Sequence, residues 1–195
     1  EIGAVAGNAI SGARAGVELK VTGVQSAGYS FALATATGTS DVVNVKLSSS
    51  GALTQTNALT ISNVETINVT STDTDTTAHQ NTLVLTAAAA TTVNVAGNAG
   101  TIVTATGSTA VTTFDASGVV LAAVTSNGVT YTSLNTTVGA TVAITGSNGV
   151  DALTGTSAAN DTINGGSGAD TLTYTGGADV FTGGAGADKF VIGTG

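Results

Sequence analysis

The chain has 195 residues, of which 42% are apolar and only 8% carry a charge. Twelve carboxylates against four basic side chains leave a formal net charge of −8, which argues against a nucleic-acid surface and against an anionic membrane as partners. Cysteine, methionine and tryptophan are absent, so disulfides and thiolate metal sites are excluded and the core must be built from small and β-branched side chains.

The N-terminal part of the chain alternates apolar side chains with polar or small ones. The alternating apolar positions are Val17, Leu19 and Val21, then Tyr29, Phe31 and Leu33, then Val43, Val45 and Leu47, followed by Leu59, Ile61, Ile67 and Val69. This period of two is typical of half-buried strands. The segment 83–92, with four alanines, is the nearest helix candidate, but its β-branched neighbours favour a strand, a tight corner and a second strand. We therefore predict an all-β chain.

Between residues 57 and 147 the sequence is loosely self-similar. Short β-branched pairs followed by Gly, Asn or Ser recur about every twenty residues, as expected of a β-solenoid. An ordinary β-sandwich rich in Thr and Val is the alternative, and the sequence leaves both open. No run of about eighteen apolar residues occurs, so we expect no membrane insertion.

The composition changes at Gly146. Of the 27 glycines, 13 lie in the last 50 residues, together with five carboxylates that are all Asp. We predict three regions on this basis: β-strands of uncertain affiliation over residues 1–50, a Thr- and Val-rich solenoid-like region over 51–145, and a separate module over 146–195.

The module repeats a glycine-rich loop and a short strand. Aspartates lie at Asp151, Asp161, Asp170, Asp179 and Asp188, and an apolar residue follows two positions after each, at Leu153, Ile163, Leu172, Phe181 and Phe190. Glycine allows tight turns that bring carbonyls together, and the apolar residue points inward from the strand. Carbonyl and carboxylate oxygens suit Ca²⁺, whereas softer metals prefer His and Cys. A flexible linker is the alternative, but a linker does not need apolar residues in register.

The segments GGSGADTLT (165–173) and GGAGADKFV (183–191) resemble the RTX nonapeptide repeat, G-G-x-G-x-D-x-U-x with U a large apolar residue. The resemblance implies a parallel β-roll with two repeats per turn, in which several Ca²⁺ ions lie between each loop and the loop two repeats later. Because the chain stops directly after a repeat, we expect the block to be truncated at its C-terminal end.

Carried onto this chain, the resemblance implies three ion sites. The first uses Asp151, Asp170 and the carbonyls of Gly146, Asn148, Gly166 and Gly168. The second uses Asp170, Asp188 and the carbonyls of Gly165, Ser167, Gly184 and Gly186. The third uses Asp161, Asp179 and the carbonyls of Thr156, Ala158, Thr175 and Gly177. It departs most from the pattern, because no glycine lies between residues 156 and 161.

The stretch NALTISNVETINV and the following Thr, Ala and Val strands are similar to regions of bacterial surface-layer proteins and large RTX adhesins. This resemblance implies an extracellular structural protein, exported by type I secretion, that assembles with copies of itself on the cell surface when Ca²⁺ binds. Cell-surface polysaccharide is a further expected partner. The tail of a secreted RTX protease or lipase, and an adhesin module, are the alternatives. Irregular threonine spacing disfavours an ice- or host-binding adhesin.

Other polar residues give weaker indications. Asp73 and Asp75 could form another Ca²⁺ loop, but we favour a solvated turn, with His79 at the surface and Asp115 as a turn former. The chain contains no G-x-S-x-G, H-E-x-x-H or P-loop motif and only one histidine, so we predict that it is not an enzyme. It opens without a signal peptide and reads as an internal fragment.

Overall fold

The computed structural model describes residues 8–24, 27–75 and 78–193. Within them lie two parallel sheets. Sheet 1 contains β1 (Asn8–Ala13), β3 (Tyr29–Leu33), β5 (Leu59–Ser62), β7 (Gln80–Thr86), β9 (Gly100–Ala105), β11 (Asn127–Thr132), β13 (Val150–Thr154), β15 (Thr171–Tyr174) and β17 (Lys189–Ile192). Sheet 2 contains β2 (Glu18–Val21), β4 (Val42–Ser49), β6 (Thr66–Asp73), β8 (Thr92–Gly97), β10 (Thr113–Val119), β12 (Thr141–Thr145), β14 (Asn160–Ser167) and β16 (Val180–Ala185). None of the described residues forms a helix able to cross a membrane.

The chain alternates between the two sheets, so each pair of consecutive strands makes one coil. Neighbouring strands in a sheet are two apart in sequence, and the described pairs are parallel, as in β13 with β15 and β14 with β16. The result is a parallel β-solenoid of about eight turns. The turns that lead from sheet 1 to sheet 2 form edge I, and those that lead back form edge II. The all-β prediction is confirmed, and the sandwich alternative gives way to the solenoid.

The core lies between the sheets and is filled by the alternating apolar residues. Val43, Val45 and Leu47 of β4 are at most 1% exposed, and the side chains between them face outward. Phe114 of β10 and Tyr131 of β11 stack across the core with ring centroids 3.8 Å apart. Two residues predicted to be buried are exposed. Val17 precedes β2 and is 37% exposed, because the inward alternation begins only at Leu19. Phe190 is 51% exposed on β17, the last strand of sheet 1.

The four alanines form the predicted corner. Strand β7 ends at Thr86 and β8 begins at Thr92, and between them the amide of Ala90 donates to the carbonyl of Ala87 at 3.2 Å. Ala87 and Ala90 are fully buried. Their complete burial leaves no room for larger side chains at these two positions of the corner.

Coil length varies along the solenoid, which explains the irregular sequence period. Stacked asparagines of sheet 2 are 24 and 26 residues apart. In the tail the equivalent offsets are 19 and then 18 residues, and 18 is the length of two nonapeptides. Both sheets continue through positions 50 and 145, and the division into three regions remains a prediction from composition.

Three asparagines form a ladder on the outer face of sheet 2. The side-chain amide of Asn94 donates to Oδ1 of Asn68, and that of Asn68 donates to Oδ1 of Asn44, both at 2.9 Å. The amide of Asn44 donates in turn to the carbonyl of Gly16 at 3.0 Å. These contacts connect successive upstream coils through their side chains as well as their backbones.

Candidate calcium sites at the two edges

The stacking of 18- and 19-residue coils gathers the five repeat aspartates into two columns. Asp151, Asp170 and Asp188 lie at edge II, and Asp161 and Asp179 lie at edge I. In each column the main-chain amide of one aspartate donates to Oδ1 of the aspartate in the next coil. The distances are 2.9 Å from Asp151 to Asp170, 3.1 Å from Asp170 to Asp188 and 2.8 Å from Asp161 to Asp179.

The edge II column continues one coil beyond the repeats. Oδ1 of Asp151 accepts the amide of Val129 and, at 2.8 Å, the hydroxyl of Ser147. Oδ2 of Asp151 accepts the amide of Ser147 at 2.6 Å. The contact between Asp151 and Val129 could not be predicted from the sequence, because a main-chain amide outside the repeat is not marked by any particular side chain. Ser147 stands where the repeat pattern has its second glycine.

The predicted loop glycines lie where the stacked loops come closest. Gly166 and Gly168 have φ values of 105° and 124°, in the left-handed region that favours glycine. A Cβ at Gly166 would collide with the carbonyl oxygen of Ser147, and one at Gly184 with that of Gly166. The backbones of consecutive loops are therefore in direct contact, which places their carbonyls beside the aspartate column.

The first glycine of each loop lies against the loop's own aspartate. A Cβ on Gly146 would meet Oδ2 of Asp151, and a Cβ on Gly165 would meet Oδ2 of Asp170. Gly155 occupies the same position against Asp161 at edge I. The 156–161 loop contains no glycine of its own, but the glycine directly before it packs against its aspartate.

Edge I holds the remaining predicted ligands. The amide of Thr156 donates to Oδ2 of Asp161 at 2.6 Å, and its hydroxyl donates to the carbonyl of Asn135 at 2.8 Å. Gly177 has a φ of 104° and lies against the carbonyl of Ala159. Asn135 precedes the repeats, so this edge is also joined to the upstream coil.

Burial makes the carboxylates of Asp151, Asp161 and Asp170 hard to ionise in the protein alone. Desolvation is the largest influence on Asp170 and raises its pKa to about 6. The hydrogen bond from the Asp151 amide opposes this rise, and the carboxylates of Asp151 and Asp188 add to it. Burial also raises the pKa of Asp151, although hydrogen bonds from Val129 and Ser147 oppose the rise. It raises the pKa of Asp161 as well, and there the Asp179 carboxylate adds to the effect.

Several oxygens in the columns lack a hydrogen-bond donor. Asp161 Oδ1, Asp170 Oδ2, Asp179 Oδ2 and Thr175 Oγ1 are buried and have no partner among the described residues. A buried carboxylate oxygen without a donor is costly, and a cation removes that cost. The donor set consists of oxygens from carboxylates and close-packed loops, which is the chemistry that Ca²⁺ prefers. The residues present therefore fit calcium, and the ligand carbonyls and number of ions remain predictions.

A separate polar cluster lies at edge II between β6 and β7. Nδ1 of His79 is 2.7 Å from Oδ2 of Asp73 and 3.8 Å from Oδ1 of Asp75. Burial alone would raise the pKa of Asp73, but hydrogen bonds from the Asp75 amide and from His79 outweigh it and hold that pKa below its usual range. The pairing of His79 with Asp73 was not foreseen from sequence. Asp115 lies within β10 and not in the predicted turn, and its Oδ1 accepts the amide of Ser117 at 2.9 Å where the strand register shifts.

Comparison with known families agrees with the geometry of the tail. The model of the RTX calcium-binding nonapeptide repeat, built of four copies, matches residues 145–180, 155–190 and 175–195. No curated protein matches the chain. The matched segment includes both aspartate columns and the glycines that lie between their loops. The C-terminal part of this protein therefore consists of RTX calcium-binding nonapeptide repeats, wound as a parallel β-roll at the end of a longer solenoid.

Proposed function

We infer that this protein is a calcium-dependent structural element of a bacterial surface layer. The observation that carries the proposal is the continuity of the stack: the calcium repeats and the Thr-rich solenoid share the same two sheets. The Asp151 carboxylate joins them, because it belongs to the repeat column and accepts the amide of Val129 in the preceding coil. Folding of the repeats would thereby stabilise the neighbouring coils, which have no aspartate column.

The repeats make folding depend on calcium. Residues 146–195 carry five Asp and one Lys, and the coils bring the carboxylates into columns in which they repel one another. Bound Ca²⁺ supplies the positive charge that neutralises these columns. Extracellular modules bind Ca²⁺ at about 10⁻⁴ to 10⁻³ M, so the chain would pass unfolded through a low-calcium cytosol and a type I secretion channel and fold outside.

The outer surface suits assembly with copies of the same chain. Only 8% of the residues are charged, and the outward positions of the strands are mainly Thr, Ser, Asn and Ala. Such a surface can be removed from water without the cost of burying unpaired charges. The proposed partners are further copies and the polysaccharide of the cell surface, and the proposed location is outside the cell.

Two other settings would use the same module. An RTX β-roll is a non-catalytic type of module, so the chain would serve equally as the tail of a type I secreted protease or lipase. It would also fit within an RTX adhesin. In the enzyme and in the adhesin, the calcium repeats would lie beside a domain with a different function.

Calcium titration followed by circular dichroism and by light scattering separates these settings. A surface-layer element gains β-structure on adding Ca²⁺ and then forms particles or ordered sheets visible by electron microscopy. Folding that leaves the protein monomeric at all concentrations would favour the enzyme tail. The same β-structure content and the same stability in excess chelator as in Ca²⁺ would contradict the calcium dependence itself.

A further inference from the structure

The outer face of sheet 1 presents rows of hydroxyl and methyl groups over seven strands, from β3 to β15. We call this surface the hydroxyl face. One row runs through Thr82, Ile102, Thr130, Ala152 and Thr171, which are paired in register from strand to strand. Beside it, Thr132, Thr154 and Thr173 form a second row. Threonines that are irregularly spaced in sequence are therefore regularly spaced on the folded surface, because differences in coil length are taken up at the edges.

Charge is segregated away from the hydroxyl face. The outward positions of its seven strands hold no Asp, Glu, Lys or Arg, and the one carboxylate within these strands, Asp151, points inward and is 1% exposed. A charge follows only beyond the face, on β17, where Lys189 is in register with Thr171. The outer face of sheet 2 carries Glu18, Lys20, Lys46 and Asp115 instead. Lys20 and Lys46 are neighbours in register there.

This segregation indicates which surface two copies can bring together. Each copy has a net charge of −8, so approach through a charged surface is opposed by repulsion or requires the desolvation of ions. The hydroxyl face avoids both costs. Its threonines offer methyl groups for packing and hydroxyl groups that both donate and accept, so an identical face satisfies them.

We propose that the hydroxyl face is the surface through which two copies of this protein associate, face to face about a two-fold axis. The proposal rests on the self-assembly put forward above and names the surface that performs it. Seven strands spaced about 4.8 Å apart give a patch roughly 34 Å by 13 Å, so two copies bury on the order of 900 Å². That area lies at the low end for specific interfaces, which fits a weak, reversible contact that repeats many times in a layer.

Sedimentation velocity over a concentration series in Ca²⁺ tests the surface with matched variants. The test variant is T104K/T132K, which places two lysines at exposed positions of the hydroxyl face. The control variant is T113K/T141K, which places two lysines on the outer face of sheet 2. Both variants change the net charge equally. A second test variant, Thr132→Glu, introduces the opposite charge by a single substitution and is available if the double variant folds poorly.

The proposal predicts that the wild type and the control associate alike, and that T104K/T132K and Thr132→Glu associate about tenfold more weakly, because like charges then meet across the contact. Equal association of the wild type and both test variants would overturn the hydroxyl face while leaving self-assembly intact. Equal weakening by the control would also overturn it. A wild type that stays monomeric throughout would refute self-assembly itself, and circular dichroism in Ca²⁺ shows in each case that the protein has folded.

Discussion

The main-chain amide of Asp151 donates to Oδ1 of Asp170, 2.9 Å away in the next coil. The carboxylate of Asp170 is thus held by the repeat before it, while its Oδ2 is buried without a donor. One oxygen stabilises the stack and the other is left for a cation. This division of roles within a single carboxylate links the fold of the tail to its calcium chemistry and leads to the predictions below.

Replacing Asp170 with Asn should weaken the response to calcium. The substitution keeps the shape of the side chain and removes the charge shared by the two edge II sites. Loss of one site that is tenfold saturated would remove about 1.4 kcal/mol of calcium-dependent stabilisation. Denaturant unfolding with and without Ca²⁺ measures the difference, with Asp115→Asn on the outer face of sheet 2 as the control. An unchanged calcium response in D170N would show that Asp170 is not a ligand.

Acidity should stabilise the calcium-free protein. The pKa of Asp170 is about 6 in the folded chain and 3.8 in the unfolded chain, so the folded state binds the proton more tightly. Stability without calcium therefore falls as the pH rises from about 4 to about 6 and then levels off. The raised pKa values of Asp151 and Asp161 act in the same direction.

Thermal unfolding at pH 5 and pH 7.5 in calcium-free buffer tests whether stability falls as the pH rises. We expect the higher melting temperature at pH 5, and a smaller difference in D170N. With Ca²⁺ present the order should reverse, because protons compete with the ion for the same carboxylates. A calcium-free protein that is more stable at pH 7.5 would contradict the burial of these groups.

Alanine at Gly168 should destabilise the β-roll whether or not calcium is present. The residue has a φ of 124°, and a Cβ there would collide with the Gly149 carbonyl in the preceding loop. We expect a loss of roughly 2 kcal/mol or more in the free energy of unfolding, since both backbone strain and a backbone clash are introduced. Gly51→Ala is the matched control, because a Cβ at Gly51 meets open space. Equal stability of the two variants would mean that the loops are not packed as described.

Alanine at Asn68 should destabilise the upstream coils without changing calcium binding. The side chain donates to Asn44 and accepts from Asn94, so two ladder hydrogen bonds are lost, worth about 1 kcal/mol each. Thr70→Ala, on the same face of the same strand, is the comparison. Unfolding midpoints and calorimetric calcium titration report the two effects separately. A changed calcium affinity in N68A would contradict a purely structural ladder.

The alternating apolar residues were sufficient to predict strands, and the β-branched neighbours of the four alanines were sufficient to predict the corner. The β-roll of the tail was predicted from its resemblance to the RTX repeat. The solenoid upstream could not be separated from a sandwich, because its coils differ in length by several residues and the turns absorb the difference. The contacts made by Asn68, Val129 and His79 were also beyond sequence reasoning. Each depends on which residue of another coil or turn lies opposite, and that register is set by the packing of the whole stack.

Equilibrium unfolding of the wild type in excess Ca²⁺ and in excess chelator at neutral pH tests the calcium dependence most directly. Because the carboxylates are crowded and some of their oxygens lack hydrogen-bond donors, we predict a large gain in the free energy of unfolding with Ca²⁺. In chelator, we expect the tail to lose its β-structure before the upstream coils do. Identical unfolding curves in the two conditions would show that the aspartate columns are stable without a cation, and the proposed function would fail with them.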